Sequence, residues 1–181
     1  MAKRVAVSKS NKLWAIAYHE AGHAVAALRL RVGIGRRGVS IIPSEGAAGT
    51  CSTLRTVFGR PDLQTTDRMR LGAEKSAVIS FAGPAAQRKY RPSSMRNYHG
   101  HSDRASAIDL MNYFVGSNEE LNAYLNLLRI RAEQLVANAL TWKEIEAVAA
   151  ALFERKHLTA QEVKDIHLAC LFPDGVPCIA I

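Results

Sequence analysis

Five consecutive residues, His19-Glu20-Ala21-Gly22-His23, have the types and the spacing that metal-assisted hydrolysis needs. One helical turn separates the two histidines, so on a helix both imidazoles leave the same face and two ring nitrogens can reach one zinc ion. Glu20 stands beside the first of them. A carboxylate in that place can take the proton of a zinc-bound water whose pKa the metal has lowered to about 7, which completes a nucleophile for a peptide carbonyl. The small Ala21 and Gly22 let another backbone approach the helix. The plainer alternative is a helix that exposes two histidines and a glutamate to solvent.

Catalytic zinc takes three protein ligands and one open position, so a third ligand must come from elsewhere. The H-E-x-x-H-x-x-G-x-x-H continuation is absent, because Ala26 and Arg29 stand where it needs Gly and His. By residue type the candidates are Glu45, Glu74, His99, His101, Asp103 and Asp109. Asp103 reads equally well as a first-turn acid, favoured by the dipole of a helix that Ser102 caps. Spacing leaves the choice open.

The elements that must position these groups are mostly helical. A first helix is expected from about Asn11 to Arg31, capped by Ser10 or Asn11 and followed by Gly33 and Gly35, with Trp14, Tyr18, Ala21, Val25 and Leu28 as its buried stripe. Gly38–Ile42 and Gly49–Phe58 read as two short strands joined by a loop. The Thr65-Thr66-Asp67 cluster caps a long helix reaching about Tyr90, which the Gly83-Pro84 pair can kink or split. Arg91 to His101 reads as a loop, and from Ser102 to about Leu168 nearly all is helix, punctuated at Gly116-Ser117-Asn118, Thr141 and Thr159. Thr141-Trp-Lys-Glu144 and Thr159-Ala-Gln-Glu162 both have the form of a capping box.

Composition narrows the class. The 181 residues are 48% hydrophobic and 22% charged, which fits one domain over residues 1–181, with 1–10 a basic N-terminal arm and 171–181 an irregular C-terminal tail. Only 7% are aromatic, and few Val or Ile runs alternate with polar residues, which disfavours an all-β sandwich. No apolar stretch approaches the roughly 20 residues of a membrane span, and no signal-peptide core follows the basic start, so a cytoplasmic protein is expected. Three cysteines without CxxC spacing suggest neither a disulfide framework nor a zinc knuckle. With 24 Lys and Arg against 16 Asp and Glu the formal charge is +8. The clusters Arg29, Arg31, Arg36, Arg37 and Arg88, Lys89, Arg91, Arg96 lack interleaved aromatics, so they read as solvated surface and not as a nucleic-acid site.

The segment Ala17-Tyr-His-Glu-Ala-Gly-His-Ala-Val-Ala26 resembles the peptidase helix of the FtsH family, zinc proteases normally fused to an AAA+ ATPase and anchored in a membrane. Val39-Ser-Ile-Ile-Pro43 with Gly49-Thr50 is similar to that family's first and return strands, and Phe81-Ala-Gly-Pro-Ala-Ala-Gln87 to its glycine-containing helix. His101-Ser-Asp-Arg-Ala-Ser-Ala107 resembles the segment that carries its third zinc ligand, so the resemblance puts that ligand at Asp103. The likeness runs from about Leu13 to Ile166. It also implies that an extended substrate adds to an edge strand matching Gly49 to Arg55, by main-chain hydrogen bonds.

This chain departs from the family where Gly-Arg-Ala-Ala-Glu becomes Gly83-Pro-Ala-Ala-Gln87, which implies a local kink and loss of the contacts made by the arginine and glutamate. No G-x-x-x-x-G-K-[ST] occurs in these residues. The expectation is therefore a mainly α domain with a small β-hairpin or sheet after the first helix, acting as a zinc metalloendopeptidase without ATPase activity of its own. His19, His23 and Asp103 would hold Zn²⁺ and Glu20 would be the general base. The substrate would be flexible or unfolded polypeptide, the family implies homo-oligomeric rings, and an ATPase on another chain could deliver substrate. The alternatives are a catalytically idle module that binds or regulates a protein partner, which intact Glu20 argues against, and a basic nucleic-acid-binding module.

Overall fold

The computed structural model describes residues 2–43, 48–95 and 101–173, with side chains from Ser10 onward. Among them the order is α1 (Ala2–Arg29), β1 (Ile34–Ser40), β2 (Thr50–Thr53), α2 (Asp67–Tyr90), α3 (His101–Met111), α4 (Asn118–Ala137), α5 (Ala139–Arg155), β3 (His157–Leu158) and α6 (Ala160–Leu171). Short 3-10 turns stand at Pro92–Ser94 and Asn112–Phe114. The three strands form one antiparallel sheet in the order β2-β1-β3. The molecule is mainly α with a small sheet after the first helix, as its sequence predicts.

Helix α1 is the axis of the fold. Every residue from Ala17 to Ala27 is buried except His19, so the expected one-sided stripe is in fact a helix enclosed on nearly all sides. Helix α2, helix α5 and strands β1 and β2 enclose it. The alanines and Gly22 make that possible by keeping the cylinder thin: a Cβ on Gly22 would stand 2.7 Å from both the Ala82 carbonyl oxygen and the Ala86 Cβ. Further along α1, toward its start, aromatic rings fill the space, with Tyr18 stacked on Tyr90 at 3.9 Å and Trp14 on Phe153 at 4.2 Å between centroids.

Several boundaries differ from the sequence expectation. Helix α1 begins at Ala2, so residues 2–10 continue the helix; no Gly or Pro interrupts them, and a formed helix propagates cheaply. Strand β1 starts earlier than expected, β2 stops well short of Phe58, and β3 lies in a stretch read as helix. Between Ile34 and Val39 the β1–β2 register shifts, and Gly38 completes the irregularity with φ +65°. A side chain there would overlap the Leu158 carbonyl, so a glycine is required for β3 to pair. Helix α2 runs unbroken through Gly83-Pro84 instead of splitting. Residues 174–181 of the expected tail lie outside the described residues.

The caps at Thr66 and Thr159 form as expected, the latter a complete capping box with Glu162. The box at Thr141 does not. Helix α5 begins at Ala139, where the Asn138 side chain accepts from the backbone N–H groups of Leu140 and Thr141. Glu144, fully buried, is drawn elsewhere: it accepts from Arg29 at the end of α1 through both oxygens, and from His167 Nδ1 on α6 at 2.9 Å. One carboxylate thus joins three helices. Removing it would strand a largely covered guanidinium, so Glu144→Ala should cost about 3 kcal/mol or more. Urea unfolding would show this as a lower midpoint at unchanged slope, and a loss below about 1 kcal/mol would mean that Arg29 is solvated without Glu144.

Candidate metal centre

His19 and His23 lie where α1 crosses α2, and α3 brings Asp103 to them in its first turn. Helix α3 starts at His101, ahead of Ser102, so Ser102 is not its cap. Asp103 Oδ2 is 3.2 Å from His19 Nε2, Asp103 Oδ1 is 3.6 Å from His23 Nε2, and the two Nε2 atoms are 3.0 Å apart. These donor atoms all lie within 4.8 Å of one another, and no other group of three His, Cys, Asp or Glu side chains does so among the described residues. Of the remaining third-ligand candidates, His101 and Asp109 are exposed on α3, while Glu74 accepts from Tyr124 and Arg131. Glu45 and His99 lie outside the described residues.

The outer hydrogen bonds determine what these atoms can offer. His23 Nδ1 is 2.8 Å from the Ile79 carbonyl oxygen, which can only accept, so Nδ1 carries the hydrogen. His19 Nδ1 is 3.0 Å from Gln87 Oε1 and carries its hydrogen for the same reason. A ring holding its single hydrogen at Nδ1 turns a bare Nε2 lone pair toward the Asp103 carboxylate, and with both rings in that form four acceptors meet. Such a set repels itself unless a cation or a proton lies within it. Two imidazoles with their other N–H groups engaged and one carboxylate fit Zn²⁺.

Charge follows this arrangement. Burial raises the Asp103 carboxyl, but the hydrogen bond with His19 and the charges of His23 and His19 outweigh it and hold the group below the usual range. Glu20 is 6% exposed, and burial pushes its carboxyl up to about 7, with His23 pulling it down and Asp103 pushing it further up. Gly49, just before β2, lies against this side chain: a Cβ there would be 2.7 Å from Glu20 Oε1. The chain entering β2 therefore covers Glu20 with bare backbone.

Sequence reasoning passed over Ile79, which contributes its carbonyl, and assigned Gly83 and Gln87 no place at the site. At position 87, where the resemblance implied lost glutamate contacts, Gln87 is 5% exposed and reaches His19. The available signal was a polar residue among Ala82, Gly83, Ala85 and Ala86 on the buried face of α2, where polar groups need partners. The basic clusters, by contrast, disperse. Arg29 pairs with Glu144 and Arg88 with Glu133, while Lys89 donates to the Val136 carbonyl and lies over the Trp142 ring.

With the geometry in place, comparison with known proteins adds one fact. The chain is similar to the ATP-dependent zinc metalloprotease FtsH of Neorickettsia risticii (strain Illinois). Identity is 25% over 194 aligned positions, covering 92% of this chain but only 30% of the relative's length. No family model matches the chain. Among the described residues no helix is long and apolar enough to cross a membrane.

Gly83 supplies a test of the site's packing. A Cβ at this position would overlap the His23 imidazole, so Gly83→Ala must displace the ring even though alanine is the better helix former. The variant should stay folded by circular dichroism while zinc affinity, read by chelator competition, falls about tenfold or more. Unchanged affinity would show that His23 has another place to go.

Proposed function

We propose that this chain is a zinc metalloendopeptidase unit in which His19, His23 and Asp103 hold Zn²⁺ and Glu20 is the general base. The observation that supports it best is the convergence of two imidazole Nε2 atoms and a carboxylate beside a buried glutamate. The similarity to a zinc metalloprotease points the same way. When bound, zinc supplies a Lewis acid and lowers the pKa of a coordinated water.

The chain's own residues do the rest. Glu20, whose burial raises its carboxyl, is a stronger base than an exposed carboxylate and can accept a proton at a carboxylate oxygen. Its burial keeps bulk water from competing for that proton. Among the described residues strand β2 is an edge of the sheet, since β1 alone pairs with it there, and its other side can take an extended polypeptide by main-chain hydrogen bonds. Such binding makes little demand on side chains, which suits flexible or unfolded substrates.

Two substitutions separate metal from base. Asp103→Ala removes the one anionic ligand, and the purified protein should then hold much less than the one equivalent of zinc expected for the parent, measured by atomic absorption. Full retention would move the ligand role to another residue. Glu20→Gln keeps size and zinc, and hydrolysis of an unstructured casein-like substrate should fall by at least about a hundredfold. Parent-like, chelator-sensitive turnover in that variant would remove Glu20 from the chemistry, and chelator-insensitive or absent turnover in the parent would defeat the peptidase reading as a whole.

A further inference from the structure

Gln87 faces two different environments. Toward α1 its Oε1 meets His19 Nδ1 at 3.0 Å. On its other side its Nε2 lies 3.4 Å from the Ser94 carbonyl oxygen and 3.3 Å from Ser94 Oγ. The carbonyl can only accept. Ser94 Oγ spends its hydrogen on the Arg91 carbonyl oxygen at 2.7 Å, so toward Gln87 it also accepts. Two acceptors therefore fix which end of the amide is nitrogen. The oxygen end is left for His19, and its ring must donate from Nδ1.

From this geometry we infer that Gln87 is a positioning residue for the proposed zinc ligand His19, and that the position calls for an amide in place of a carboxylate. Its acceptor end holds the imidazole in the Nδ1–H form with Nε2 bare. Its donor end ties the same side chain to Ser94, in the short turn that ends α2 and stands ahead of Asp103 in the chain. One buried side chain thus connects α1, which bears two of the proposed ligands, to the segment on the way to the third. A glutamate could serve His19 but would set a carboxylate oxygen against two acceptors. A hydrocarbon of the same length could serve neither.

The inference rests on the metal reading, yet it can be tested without metal. In the zinc-free protein at about pH 8, long-range nitrogen–proton NMR should find His19 protonated at Nδ1, against the preference of free imidazole side chains for Nε2. Gln87→Met, close in size, should shift His19 toward the Nε2–H form. It should also lower backbone order parameters at residues 92–95 from about 0.85 toward about 0.6. Gln87→Glu should restore the Nδ1–H form and leave the turn loosened, and it keeps the test open if the methionine variant does not fold. Zinc affinity by chelator competition should fall about 10- to 100-fold in Gln87→Met and recover most of that loss in Gln87→Glu. A methionine variant with unchanged His19 tautomer and unchanged turn would overturn the inference, as would a glutamate variant that keeps the turn rigid. If no form binds zinc, the metal reading fails while the two NMR measurements still judge Gln87.

Discussion

The close crossing of α1 and α2 is the constraint on which the rest of the structure depends. Two backbones meet at Gly22 and Gly83, where any side chain would collide with the opposite helix or with an imidazole. Because they meet there, the Ile79 carbonyl and the Gln87 amide of α2 fall within hydrogen-bond distance of the Nδ1 atoms of His23 and His19. A wider spacing would leave both rings free to rotate, and their bare nitrogens would lose a common target. Alanine does similar work along the contact, since Ala21, Ala82 and Ala86 are all enclosed and none takes up width.

From that crossing the electrostatics follow. Placing two lone pairs and a carboxylate together is unfavourable in a partly dry site, and the cost is offset only by a cation or by protons. The same dryness raises Glu20, one residue along the helix but turned toward the chain entering β2. The site therefore holds two carboxylates with opposite tendencies. Burial works against the Asp103 carboxyl, but the His19 hydrogen bond and the imidazole charges hold it below the usual range, while burial raises Glu20. Environments that push titratable groups apart in this way are the usual mark of acid–base chemistry.

Away from the site, the remaining elements keep α1 in place. Arg29, one and a half turns beyond His23, is clamped by Glu144 from α5, and His167 brings α6 to the same carboxylate. The sheet is anchored at its far edge by the pairing of Val39 with Leu158, which only glycine at position 38 permits. The stacked rings of Trp14, Tyr18, Tyr90 and Phe153 join α1 to the end of α2 and to α5, one and two helical turns before Gly22.

Local pattern was enough to establish the mainly helical class, the caps at Thr66 and Thr159, and the shared helix face of His19 and His23, because each depends on residues within a turn or two of one another. It failed wherever a local signal met a stronger distant partner. The Thr141 box was sound as a pattern, but Asn138 capped the helix first and Glu144 was claimed by an arginine 115 positions away. Spacing left six candidates for the third donor, and resemblance alone favoured Asp103; its placement beside the imidazoles was decided by how α3 packs. Gln87 stands 68 positions from the ring it holds, and nothing in its neighbourhood along the chain specifies that a histidine will arrive there. Sequence by itself determined which chemistry was available on one helix face. Only tertiary structure decided which distant groups complete it, because a hydrogen bond between separate helices is specified by the space between them and not by any period along the chain.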